Sequence, residues 1–227
     1  CGPCTEIHID LRDSEKRVDI DGSKLVNQDH PEVIEIWNLV FIEYNRNENG
    51  GLEKLSKKHV DTGMGFERLC MVLQNKKSTY ETDLFIPIIQ KLEKISGFNF
   101  QETEKIKIAF RVIADHIRSI VFCIGDGQIP SNNGAGYVIR RILRRSIRYG
   151  FVFLDLKEPF LYRLVDVLSD QFKEVFPSIF SNTDNLKEII LDEEKLFLKT
   201  LQRGLVMIDD LIKNSSSNQI SGAKVFQ

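Results

Sequence analysis

Residues 60–69 read VDTGMGFERL, which places Asp61, Gly63, Gly65 and Arg68 within one short stretch. A strand delivering an acid, a Gly-x-Gly turn and a helix opening at Phe66 would suit a charged ligand. Glycines remove the side chains that would block close approach, and a helix N-terminus favours phosphate. Arg68, in the first turns of that helix, has the planar cationic head to neutralise a phosphate or stack on a flat base. An ordinary strand–turn–helix connection with a surface ion pair would read the same way, and both readings stand at this level. A dinucleotide fingerprint is excluded, because Arg68 occupies the position of its third glycine.

A second polar interruption lies in VIEIWNLVFIEY, residues 33–44. The run is β-branched and aromatic, as a central strand requires. Alternation puts Ile34, Ile36 and Asn38 on one face and Glu35, Trp37 and Leu39 on the other. Glu35 could help hold Mg²⁺ on ATP phosphates, since Mg²⁺ takes oxygens from one or two carboxylates plus substrate. The alternative is a buried polar pair satisfied by neighbouring backbone.

The third cluster is basic. Within YVIRRILRRSIRY, residues 137–149, Arg140, Arg141, Arg144, Arg145 and Arg148 share one broad helical face, with Ile139, Ile142, Leu143 and Ile147 as apolar anchors. Arginine clusters bind phosphate backbones, and a run without acidic partners is poorly explained as a merely solvated face. The formal net charge is −2, so nucleic-acid affinity has to come from such a local patch. Asn132, in the preceding loop GDGQIPSNNGAG (residues 125–136), offers a donor and an acceptor; as a turn residue it would be equally at home beside Pro130 and Gly134.

Other chemistry is weaker. CGPC at residues 1–4 spells a thioredoxin-type redox pair, but that chemistry needs a helix N-terminus after a core strand. Here TEIHID follows, alternating as an extended strand does. Cys70 and Cys123 complete no zinc ribbon, and His8, His30, His59 and His116 lack ligand spacing, so no metal cage is expected. No apolar run is long enough to span a bilayer, and no leader pattern opens the chain. A reducing, cytoplasmic protein is expected.

The elements positioning these residues follow from periodicity. Strands are expected at 5–10, 33–44 and 58–61, with polar connections at 11–32 and 45–58. Loop connections without crossover helices predict antiparallel pairing. A helix is expected from Phe66 to Gln74. From about residue 78 the pattern is wholly helical: Leu84 to Ile95, Ala109 to Ile124, Tyr137 to Tyr149, 159–176 and 184–213. The fold class is therefore α+β, divided at 1–77 and 78–227.

Three segments, CGPCTEIHID, VIEIWNLVFIEYNR and KHVDTGMGFERLCMVLQ, in this order and spacing, resemble the catalytic domain of alanyl-tRNA synthetases. VDTGMGFERL is similar to motif 3 of class II synthetases. FRVIADHIRSIVFCIGDGQIPSNNGAGYVIRRILRRSIRYG resembles the tRNA-binding helical region of that family, and SGAKVF the segment ahead of its editing domain. The resemblance spans essentially the whole chain. It implies that Asp61 pairs with the α-ammonium of alanine, Asn38 bonds the amino acid, and Gly63 keeps space beside it. It implies that Arg68 grips the ATP γ-phosphate next to Gly65, and that Glu35 serves Mg²⁺–ATP. Asn132 matches the residue that inspects the acceptor-stem G·U wobble pair of alanine tRNA. The five arginines would hold the RNA backbone.

Against that pattern, the chain begins after motifs 1 and 2 and ends before the editing domain, where zinc ligands are expected. It is not expected to complete aminoacylation alone. A non-catalytic RNA-binding remnant of the family is the rival reading, and a thioredoxin-like oxidoreductase a more distant one.

Overall fold

The computed structural model describes residues 1–213 and Gly222; the polar tail and the SGAKVF segment otherwise lie outside the described residues. The chain divides into two compact units, Cys1–Leu84 and Phe85–Gln227.

The first unit is built on an antiparallel sheet of order β1-β2-β3: β1 Cys4–Asp10, β2 Val33–Arg46 and β3 Leu52–Met64. The α+β class and the antiparallel pairing agree with the sequence. The third strand does not: residues 52–57, read as loop, and 62–64, read as a turn, extend it at both ends. Tyr44, Asn45 and Arg46 pair with Lys54, Glu53 and Leu52. LEKLSKK lacks a buried face, so no apolar alternation marked it. The turn is only Asn47–Gly51, closed by Gly50 N–H to the Asn47 carbonyl at 2.8 Å, with Gly50 at φ 84°.

Between β1 and β2 the polar segment holds a short helix, α1 Ser14–Asp19, and a 3₁₀ turn at Gly22–Leu25. Arg12 organises it. Its buried guanidinium donates to both Asp10 carboxylate oxygens (2.9 and 2.7 Å) and to the Lys16 and Ile20 carbonyls. The Arg12 hydrogen bonds hold the Asp10 carboxyl down, from its ordinary 3.8 to about 2. The CGPC segment continues the sheet: the Cys1 and Pro3 carbonyls accept from β2, and a Cβ on Gly2 would stand 1.7 Å from the Phe41 carbonyl oxygen. No helix begins there. Helix α2, Phe66–Leu73, follows β3 directly.

The second unit is helical: α3 Ile86–Ser96, α4 Glu104–Gly125, α5 Gly134–Phe153, α6 Val165–Phe172 and α7 Thr183–Lys213. Thr103 caps α4, its hydroxyl accepting from Ile106 N–H at 3.2 Å. Ile106, Ala109, Phe110, Ile113, Ile117, Ile120 and Ile124 of α4 recur at helical spacing and are buried. They form the centre of the core.

Glu194, on α7, lies wholly inside this unit and caps another element. Its Oε1 accepts from Phe160 and Leu161 N–H (both 2.9 Å) and Oε2 from Tyr162 N–H (3.1 Å). These are donors left unpaired at the start of the 3₁₀ turn Leu161–Leu164. Burial outweighs the three bonds and pushes the Glu194 carboxyl up from 4.5 to about 7. Because the folded value is the higher one, its contribution is fullest below about 4.5 and declines as pH rises through 7. Glu194→Gln loses the Tyr162 bond and sets an amide N–H₂ against that donor. The expected cost is about 1–3 kcal/mol near pH 5, shrinking toward pH 8 as the parent alone weakens. Urea unfolding across this pH range checks it; parallel pH profiles for the two proteins would contradict it.

Candidate functional site

Sheet register assembles the first site. Asn38 pairs with Gly63 and Val40 with Asp61, and paired residues share a face, so Asn38, Gly63 and Asp61 line one side of the β2–β3 ribbon. A Cβ at Gly63 would stand in ordinary contact with Asn38 Oδ1, at 3.6 Å, so the glycine leaves the volume of one methyl group unfilled beside that amide. Asp61 is exposed, and its carboxylate makes no hydrogen bond or ion pair with a described residue. The other face carries Trp37, whose indole N–H donates to the Thr62 hydroxyl, and Thr62 in turn donates to the Asn38 carbonyl at 3.0 Å. That pair fixes the backbone under Asn38 without using its side chain.

Glu35 lies on a different face from the one simple alternation gives. The β1–β2 register runs Ile7 to Trp37 and then His8 to Glu35, skipping Ile36. His8 Nε2 and Glu6 Oε2 are 3.0 Å apart, so His8 and Glu6 share a side; Glu6 pairs with Asn38. The irregularity therefore carries Glu35 to the face of Asn38 and takes Ile34 away from it. Glu6 and His8 join that face as well, with Asn27 donating to Glu6 at 3.2 Å. The His8 and Asn27 bonds lower the Glu6 carboxyl. The sequence marked Glu6 and His8 only as alternating polar positions.

Arg68 donates to the Glu35 carbonyl at 2.7 Å, which brings the guanidinium to the acid's own backbone. A Cβ at Gly65 would stand 3.3–3.5 Å from the Arg68 side chain, close to ordinary contact. At φ −70° Gly65 uses no backbone freedom of glycine, and its N–H is given to the Ile36 carbonyl at 3.0 Å. Among the described residues no three His, Cys, Asp or Glu groups cluster as a metal cage. Glu35 is half-buried, and a single carboxylate of this kind suits an ion that arrives on phosphates instead.

The second site is on α5. This helix starts at Gly134, three residues before the expected Tyr137. Gly136 is the reason the glycine-rich loop can wind into it: a Cβ would meet the Ile129 carbonyl oxygen at 2.3 Å and Ser131 Oγ at 2.4 Å. Ser131 N–H donates to the Gly136 carbonyl at 3.0 Å, pinning the loop that presents Asn132.

The five arginines divide into two sets. Arg141, Arg145 and Arg148 are exposed. Arg140 and Arg144 point to Glu193 of α7, with Arg140 Nε 3.1 Å and Arg144 Nη2 2.8 Å from the same carboxylate oxygen. The run thus has an acidic partner, which its own sequence neighbourhood did not reveal because Glu193 lies 49 residues from Arg144. Arg144 also stacks over Phe197, at 5.3 Å. Arg141, Arg144, Arg145 and Arg148, with His116, Val138, Ile142 and Phe197, line a groove of about 510 Å³. A groove lined by four arginines suits a sugar–phosphate backbone. Arg140 further donates to Asn132 Oδ1 and, at 3.4 Å, to the Pro130 carbonyl.

An antiparallel sheet whose last strand turns straight into a helix bearing an arginine that bonds back to the sheet is the arrangement expected of class II synthetase motif 3. The model of the family described as "tRNA synthetases class II (A)" matches residues 1–227, and the chain belongs to that family. It is 56% identical over 227 residues to an alanine–tRNA ligase of Christiangramia forsetii, covering all of this chain and 26% of that protein. Its identity to the alanine–tRNA ligase of Flavobacterium psychrophilum is 53% over 236 residues, covering all of this chain and 27% of that protein. To one of Bacteroides fragilis it is 51% over 229 residues, with 100% and 26% covered. The chain thus spans about a quarter of the length of these relatives. No helix among the described residues is long and apolar enough to cross a membrane.

Proposed function

We propose that this chain contributes part of the alanine-activation site and part of the tRNA-binding surface of a cytoplasmic alanine–tRNA ligase. The observation that carries the reading is the register that sets Asp61, which has no partner among the described residues, on one sheet face with Gly63 and Asn38. A carboxylate left free by its neighbours suits the α-ammonium of a small amino acid. The Asn38 amide supports the same ligand, and Gly63 leaves it room. Arg68, steadied on the Glu35 carbonyl, is placed for the γ-phosphate of ATP with Gly65 beneath it. Glu35 would hold Mg²⁺ arriving on that nucleotide, and the ion would neutralise charge between the phosphates.

The alanine carboxylate attacks the α-phosphorus, the bond to the β-phosphate oxygen breaks, and alanyl-adenylate and pyrophosphate result. The 3′-terminal adenosine hydroxyl of tRNA then displaces AMP. In-line displacement needs positioning and charge neutralisation more than a protein acid or base, and Asp61, Asn38 and Arg68 supply those. The family's motif 1 and 2 contacts would come from the longer protein. In the second unit Arg141, Arg145 and Arg148 would hold acceptor-stem phosphates, with Arg140 and Arg144 behind them. Asn132 would read the G·U wobble pair, whose base edges the wide A-form minor groove exposes. A purely RNA-binding remnant would give Asp61 no use.

The test is charging of acceptor-stem hairpins by the complete enzyme. Alanine should be transferred to a hairpin carrying G·U and scarcely to one carrying G·C. Equal charging of both, or none with alanine, contradicts the reading.

A further inference from the structure

The second unit offers a feature that the assignment of Asn132 does not explain. An amide reads a base edge only if its donor and acceptor ends are not interchangeable, and nothing intrinsic to an exposed Asn prevents rotation. Here the carbonyl end is claimed: Arg140 Nη1 donates to Asn132 Oδ1, and Arg140 Nη2 to the Pro130 carbonyl of the same loop. That leaves the Asn132 N–H₂ as the outward, donating end.

Arg140 is itself held from behind. Its Nε stands 3.1 Å from Glu193 Oε1 as an ion pair without hydrogen-bond geometry, and the same oxygen accepts from Arg144 Nε at 2.9 Å. The Glu193 side chain is only 6% exposed, against 19% for Arg140 and 40% for Arg144. A carboxylate so deeply placed is tolerable only with its cations in contact, so it pins both arginines. Without it, two guanidiniums on adjacent helical positions repel each other, and Arg140 is free to swing toward RNA phosphate or water. Asn132 then loses the bond that distinguishes its two ends.

We propose that Glu193 is a positioning residue for RNA discrimination, acting through Arg140 to fix which end of the Asn132 amide faces the acceptor stem. The inference rests on the reading of Asn132 as the wobble-sensing residue. It makes α7 the base on which the reading loop is set, although α7 contributes no residue to that loop.

The experiment measures kcat/KM for charging G·U and G·C acceptor-stem hairpins with the complete enzyme and with Glu193→Gln, Arg140→Lys, Asn132→Ala and the Asn132→Ala/Glu193→Gln pair. Glutamine keeps the shape and removes the charge; lysine keeps the charge and removes the fork. Glu193→Gln and Arg140→Lys should each lower the G·U to G·C ratio about tenfold, the worth of one base-edge contact. The double variant should match Asn132→Ala alone, because Glu193 has no other route to the base pair. A merely structural role would slow both hairpins in parallel and leave the ratio intact, which overturns the proposal. If Glu193→Gln does not fold, the ratio in Arg140→Lys decides. A reduced ratio in Asn132→Ala with parent-like ratios in the other two single variants overturns this inference alone. An unchanged ratio in Asn132→Ala overturns the Asn132 reading together with it.

Discussion

Asp61→Asn in the complete enzyme should abolish most alanine activation while leaving the fold intact. Asp61 is exposed on β3 and makes no hydrogen bond or ion pair with a described residue, so the substitution removes no internal contact. What it removes is the charge opposite the α-ammonium. Once substrate covers the site, losing one side of a charge-assisted contact to an ammonium costs on the order of 2–5 kcal/mol. That is roughly a 30-fold to several-thousand-fold fall in kcat/KM for alanine-dependent ATP–pyrophosphate exchange. Circular dichroism and thermal unfolding should match the parent. Near-normal exchange in the variant would remove Asp61 from the site.

Charge removal on α5 should have the next largest effect, and the two arginine sets should behave differently. The 227-residue chain should bind an acceptor-stem hairpin weakly and with a steep dependence on salt. Replacing Arg141, Arg145 and Arg148 together by Gln should flatten that dependence by about three phosphate contacts. Between 50 and 200 mM salt this means on the order of 40-fold less loss of affinity than the parent shows. The weakening should be alike for G·U and G·C stems, since phosphate contacts carry no sequence information. Replacing Arg144 should change the salt slope less, because Glu193 already neutralises part of its charge, and should lower stability instead. Anisotropy titrations across a salt series separate the two. A triple variant that binds like the parent would contradict the assignment of this helix.

The sequence revealed the elements with a strong apolar period and missed those without one. Helix α4 was legible because Ala109, Ile113, Ile117, Ile120 and Ile124 repeat with the helical turn and are buried. The Leu52–Lys58 half of β3 was not, because its register comes from β2 and from the Asn47–Gly51 turn rather than from a buried face. Asp61 could be placed on its strand from VDTGMG alone, but Gly63, read as part of a turn, is a strand residue paired with Asn38, because β3 runs on to Met64. The face of Glu35 could not, since one skipped residue at Ile36 reverses the alternation that sequence reasoning applies. Glu193 was invisible for a different reason. It is one acid among many on α7, and only the packing of α7 against α5 shows that it buries its carboxylate beneath two arginines.

The central claim, that this chain carries residues selecting alanine and gripping ATP, is tested most directly by ATP–pyrophosphate exchange in the complete enzyme across a panel of amino acids. Alanine should drive exchange far above every residue with a larger side chain. Glycine and serine should follow within about one to three orders of magnitude, because a small pocket discriminates weakly against one lost methyl or one added hydroxyl. Arg68→Ala should depress the alanine signal chiefly through weaker ATP use. Exchange driven by another amino acid in preference to alanine, or none with alanine, would contradict the account.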